Sequence, residues 1–205
     1  QRKAKKLDAF CYGIYYENNY YDMAPKIFRD ACVFGEGIIH SYAEHGRVKH
    51  ERVLPYEILT DYLESHYGPE STKTIHRIKN IDRTELMEAF PDKAETIRTM
   101  ANTSVFISAS QRSVADTVTV VESWRLPIGS KPGRHTIVTG DATLQDETYE
   151  EDFFPFSVIR YNPRMYGFYS QGMAEQLTPL QIEINRTLIS IQRSLYLGGT
   201  HKIFV

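Results

Sequence analysis

Three histidines stand five residues apart, His40, His45 and His50, with Glu44 and Glu51 beside them. Imidazole and carboxylate groups together build zinc sites and acid–base pairs. GIIHSYA at 37–43 and RVKHERV at 47–53 alternate in polarity around Glu44-His45-Gly46, so they read as a hairpin with a glycine turn. On that hairpin His40 and His50 can face each other across the two strands. The spacing matches no zinc signature, and the chain has neither HExxH nor paired CxxC. Polar residues on the exposed face of a hairpin explain the pattern without a metal.

A second cluster gathers carboxylates: Asp141, Asp146, Glu147, Glu150, Glu151 and Asp152. Such a group can hold a divalent cation or supply a general acid and base. Charge at a turn and a strand edge also discourages edge pairing. A metal-dependent hydrolase or nuclease using the 141–152 cluster is therefore the alternative enzyme reading. Other chemistry finds less support. No GxSxG occurs, and Cys11 and Cys32 sit among apolar residues as two reduced thiols. GEG at 35–37 and GSKPG at 129–133 lack the further glycines and the Lys-Ser/Thr of a phosphate-binding loop. Arg2, Lys3, Lys5 and Lys6, and separately Lys73, Arg77 and Lys79, can meet phosphates or simply be solvated. No catalytic residue, metal or cofactor is assigned.

The elements that carry these residues follow from period and punctuation. Lys3–Asn18 reads as a helix entering a tyrosine-rich patch. Asp22 is expected as the cap of a second helix, with Pro25 in its first turn and Gly35 and Gly37 at its end. Ile58–Tyr67 has helical spacing, closed by Gly68-Pro69. Thr74–Ile81 is open between strand and helix. Asp82-Arg83-Thr84-Glu85 starts a helix through Phe90, and Asp92–Asn102 is expected as another. Thr117–Leu126, Arg134–Thr139, Ala142–Tyr149 and Phe153–Tyr161 read as strands. Six or seven strands with helices at both ends make an α+β fold of mixed helices and antiparallel strands. The βαβ alternation of a doubly wound sheet is absent.

The most regular stretch lies between Gly167 and Gly199. Leu177, Leu180, Ile184, Leu188, Ile191 and Leu195 share one helical face. Ile182, Ile189 and Tyr196 form a second stripe at seven-residue spacing. Gln181, Asn185 and Gln192 lie between the two. One apolar stripe suffices to seat a helix on its own domain. Two imply two neighbours, one of them another copy of the chain. Gln181, Ile182, Asn185, Ile189, Gln192 and Tyr196 are the expected oligomer contacts.

The bulk composition sets bounds. Over 205 residues the apolar fraction is 41% and the net charge −2. That allows a real core and argues against tight, phosphate-driven nucleic-acid binding. No apolar run approaches the roughly 18 residues of a membrane span. Gln1 at the start and the apolar HKIFV at the end are expected to be cut ends of a longer protein.

The order of segments resembles the portal, or head-to-tail connector, proteins of tailed bacteriophages. The series runs from about Tyr21 to Gly199. It comprises RDACVFGEGIIHSY, RVKHERVLPYEILTDYLESHYGPES and IHRIKNIDRTELMEAFP, then VTVVESWRLP, GRHTIV, TLQDETYEEDFFPFSVIRYNP and GFYSQGMAEQLTPLQIEIN. The resemblance implies a structural subunit rather than an enzyme, in a homo-oligomeric ring of about twelve copies at one capsid vertex. Double-stranded DNA passes non-specifically through its channel during packaging and ejection. A separate terminase motor drives packaging, and capsid, adaptor and tail proteins join the ring. The implied location is the virion, after assembly in the host cytoplasm, with no membrane. On that template residues 1–170 are a wing-like α+β domain, 171–199 a long helix leading to or forming part of the stem, and 200–205 the start of the next region. Another capsid or connector component is the nearest rival. A nearly neutral chain suits a channel along which DNA must slide.

Overall fold

Most segments with a two-residue hydrophobic period form strands, and most with a period near 3.6 form helices. The computed structural model describes residues 2–44, 46–100, 115–140 and 142–198. Along them the chain forms α1 (Arg2–Glu17), α2 (Tyr20–Phe34), β1 (Glu36–Glu44), β2 (Arg47–Val53) and β3 (Ile58–Thr60). Then come β4 (Thr74–Asp82), α3 (Arg83–Ala89), α4 (Ala94–Thr99), β5 (Thr117–Arg125), β6 (Gly133–Thr139), β7 (Ala142–Tyr149), β8 (Phe156–Arg160) and α5 (Met173–Gly198). His45, Asp141, Asn102 and the 200–205 segment lie outside the described residues.

The fold is α+β. Sheet A is ordered β2-β1-β8 and sheet B β3-β4-β5-β6-β7, with every pairing antiparallel. The two inner faces meet over Ile38, Val53, Ile58 and Ile75, closed by Phe168. A second core joins α3 and α4 to the far part of sheet B through Leu86, Ile97, Val118, Val120 and Leu144. The outer face of sheet A carries α2. A Cβ on Gly37 would stand 2.3 Å from the Ile27 carbonyl oxygen, so only glycine allows this approach. Asp30, at 3% exposure, grips Arg52 of β2 with two bonds of 2.5 and 2.6 Å.

Four expectations change. The Ile58–Tyr67 segment is not a helix. Ile58 goes into the core, Ile58–Thr60 completes the edge of β4, and Asp61 Oδ1 then accepts the Leu63 and Glu64 N–H groups. Tertiary burial and a local aspartate turn outweigh the helical spacing, and β3 raises the strands to eight among the described residues. α2 starts at Tyr20, behind Asn19 at φ 49°, so Asp22 is inside the first turn and Pro25 is interior. His40 and His50 do not face each other: His40 pairs with Glu51 and His50 with Ser41. An offset of one residue puts them on opposite faces of the sheet. Last, Arg77 is no phosphate contact, because it is 2% exposed between the sheets. Asp82 does cap α3, accepting the Thr84 N–H at 2.8 Å.

Candidate functional site

α5 realises the expected helix and leaves both of its stripes uncovered. At about 1.5 Å per residue its 26 residues extend for about 39 Å, and none is buried. Leu180, Leu188 and Leu195 of the main stripe are 62%, 58% and 68% exposed. Ile182, Ile189 and Tyr196 of the second are 44%, 50% and 83% exposed. The expected seating of one stripe on the chain's own domain is therefore corrected. α5 packs against α2, but neither face is buried within the single chain. The amides remain exposed, and Gln181 Nε2 donates to Asn185 Oδ1 at 2.9 Å along the helix. Arg164 pairs with Glu175 at 2.7 Å in the first turn, and Arg186 with Glu183 at 2.6 Å.

The root of the helix is built differently. Gly35 caps α2 at φ 100°, and a Cβ there would meet the Ser170 carbonyl oxygen at 2.5 Å. Gly172 presses on the Val33 carbonyl oxygen with a corresponding gap of 2.4 Å. Between these contacts Glu36 is 1% exposed. Its Oε1 accepts the Ser170 N–H at 3.0 Å, and Arg160 Nε lies 4.0 Å away, with its guanidinium carbon 5.3 Å from the centre of the Phe168 ring. GEG at 35–37, too short for a phosphate loop, is thus the close-packed joint that holds the start of α5.

Burial pushes the Glu36 carboxyl above its ordinary value, although the Ser170 N–H and Arg160 oppose the shift. Its folded value is raised, so its contribution to stability is complete below the ordinary value of 4.5 and is lost as pH rises through the folded value. Glu36→Gln is expected to flatten that fall. Urea unfolding at pH 5 and pH 8 checks this: wild type should lose more than the variant between the two.

The groups that sequence alone set apart for chemistry are dispersed. Asp146 forms a bidentate pair with Arg134, at 2.7 and 2.5 Å. Glu147 lies opposite His135 in the β6–β7 ladder, and Glu150, Glu151 and Asp152 are exposed. Among the described residues no three of His, Cys, Asp and Glu come together in a way that could hold a metal ion. His50 bonds Ser41 at 2.9 Å on the outer face of sheet A.

The structure instead assembles a polar cluster between the sheets. Arg77 forks onto Glu51 with two bonds of 2.9 Å and reaches Glu57 at 3.2 Å. His40 Nδ1 is 3.3 Å from Arg77 Nη1 and 3.9 Å from Glu51. His40, beside it, and the Arg77 fork hold the Glu51 carboxyl well below the usual carboxylate range. Further along sheet B, Glu122 accepts from His135 Nε2 at 3.0 Å and faces Lys79 at 3.6 Å. Burial opposes the charge on Glu122, but His135 and Lys79 prevail and hold its carboxyl below the ordinary value. Sequence reasoning missed this cluster. Its one legible signal was charge at inward positions of apolar strands, Arg77 in TIHRIKNID and Glu122 in TVTVVESWR.

No protein-family model matches the chain, and no curated protein matches it either.

Proposed function

We propose that this chain is a structural subunit of a bacteriophage portal ring, forming part of the capsid-vertex channel through which DNA is packaged and ejected. The observation that carries the reading is α5: a 26-residue helix with two apolar stripes, none of whose residues is buried in the single chain. Leucine and isoleucine at half exposure or more, repeated along one element, favour a surface that another polypeptide covers. Copies arranged about a closed axis cover two faces of each helix at once, because each subunit has a neighbour on either side. The amides between the stripes add direction to such a contact, since a misaligned neighbour would leave them unpaired. The resemblance of the segment order to portal proteins implies the rest of the reading: about twelve copies, a terminase motor, capsid, adaptor and tail proteins, and DNA passing without sequence preference.

The test is the mass of the full-length protein in solution, with imaging of the particles. Rings are expected. Ile182→Glu with Ile189→Glu should reduce assembly at least about tenfold while leaving the far-ultraviolet circular dichroism unchanged, because both positions are exposed in the monomer. A strictly monomeric full-length protein, or a double variant that assembles like wild type, would overturn the reading.

A further inference from the structure

The inner face of sheet B has two roofs. Sheet A covers it over Ile75 and α3 covers it over Val118 and Val120. Between the roofs the middle of the sheet stays open, as a cleft of about 590 Å³. That volume suits a small molecule or one long side chain. The floor carries Glu122, 8% exposed and held by His135 and Lys79. Aromatic rings form the walls: Trp124 stacks on His135 with centroids 5.1 Å apart, and Tyr42 stacks on His40 at 4.9 Å. Glu44, at the end of β1, and Glu85, on α3, also line the cleft.

The charges in the cleft do not balance. Glu51 is matched by Arg77, and Glu122 by Lys79. Glu44 and Glu85 have no ion-pair partner among the described residues, and both are exposed. Carboxylates are thus in surplus in a cleft that the electron-rich rings of Tyr42 and Trp124 also line. Burial, with the charges of Glu51 and Glu44, holds the Tyr42 phenol above its ordinary value, as a negative cleft requires. An anion is disfavoured by the surplus.

We propose that this cleft binds a small organic cation of the guanidinium class, stacked on Tyr42 and clasped by Glu44 and Glu85 above the Glu122 floor. A ring face and a carboxylate act together on such a group, because the ring quadrupole and the anion both attract positive charge. Guanidinium fits better than ammonium. It is planar, stacks on tyrosine, gives two parallel donors to a carboxylate and sheds water more readily. The same chemistry has two sources, a free guanidino compound or an arginine side chain of a polypeptide. The inference is independent of the portal reading, since it uses no residue of α5.

Titration calorimetry of the full chain with agmatine and with Gly-Arg-Gly amide tests the proposal and separates the sources. Saturable binding of at least one probe is expected. Agmatine alone binding identifies the free compound, and the peptide binding as well or better identifies the side chain. Glu44→Gln with Glu85→Gln, and separately Tyr42→Leu, should each weaken binding at least about tenfold. Glu44 and Glu85 are exposed, so circular dichroism should show an unchanged fold for their double variant. Failure of both probes to bind below about 10 mM would overturn the assignment, as would equal binding by the variants or tighter binding of citrate.

Discussion

Arg77→Met is expected to destabilise the protein by about 2–3 kcal/mol, less than the full cost of breaking a buried ion pair because the Glu51 side chain, 43% exposed, keeps part of its contact with water. Methionine fills much of the space but supplies no donor. Glu51 loses two bonds of 2.9 Å, Glu57 loses its contacts at 3.2 Å, and His40 loses the guanidinium 3.3 Å away. Glu57 and His40 lie where the sheets meet, with side chains only 16% and 7% exposed, so solvent cannot easily replace what they lose. A pH series separates this electrostatic origin from simple loss of packing. In wild type the Glu51 value is depressed, so its contribution to stability is present above the ordinary 4.5 and is lost as pH falls through the folded value. In the variant the carboxylates lose the guanidinium, Glu51 keeps only His40 and the more distant Lys79 to favour its charge, and protonation relieves them. The gap between wild type and Arg77→Met should therefore be widest near neutral pH and shrink below about pH 4. A gap that stays constant across pH in denaturant titrations would show that Arg77 acts through its volume alone.

Gly37→Ala is expected to cost about 3 kcal/mol or more, at the upper end of overpacking. The added methyl would meet the Ile27 carbonyl oxygen at 2.3 Å and the Ile27 Cγ2 at 2.7 Å. Ile27 is 0% exposed and belongs to α2, so neither partner is the loose end of a flexible side chain. The helix must lift from sheet A, and the α5 root, whose Ser170 and Gly172 press on Gly35 and Val33, sits at the end of the same helix. Gly140→Ala is the control, since a Cβ there meets nothing within 4 Å and the backbone has no left-handed angle. A thermal melt should separate the two variants by well over ten degrees, given about 2–4 °C per kcal/mol for a domain of this size, only if α2 drags other elements with it. A shift of about 6–12 °C is the expectation for the local clash alone. Equal melts for the two alanine variants would show that α2 can retreat without cost.

Much of the architecture was legible because it depends on period. Val118, Val120, Glu122 and Trp124 alternate with less buried neighbours, as in any strand with one covered face. Asp82 starts a helix because a short carboxylate can accept the Thr84 N–H at once. α5 was visible from its leucines and isoleucines alone. Where reading failed, the deciding partner was remote. Ile58 belongs to a strand because β4 offers an open edge sixteen or more residues away. His40 and His50 separate because register, not spacing, assigns faces.

The sequence by itself determined the α+β class, the position of most elements and the two stripes of α5. These follow from neighbours within a turn or a hairpin, whose geometry each residue carries with it. Only the tertiary structure decided that Arg77 is interior, that GEG is a joint for a helix root and that neither stripe of α5 is covered by its own domain. Those depend on which surfaces meet after sheets A and B close on each other. A side chain's charge or spacing does not encode the partner that arrives from more than twenty residues away.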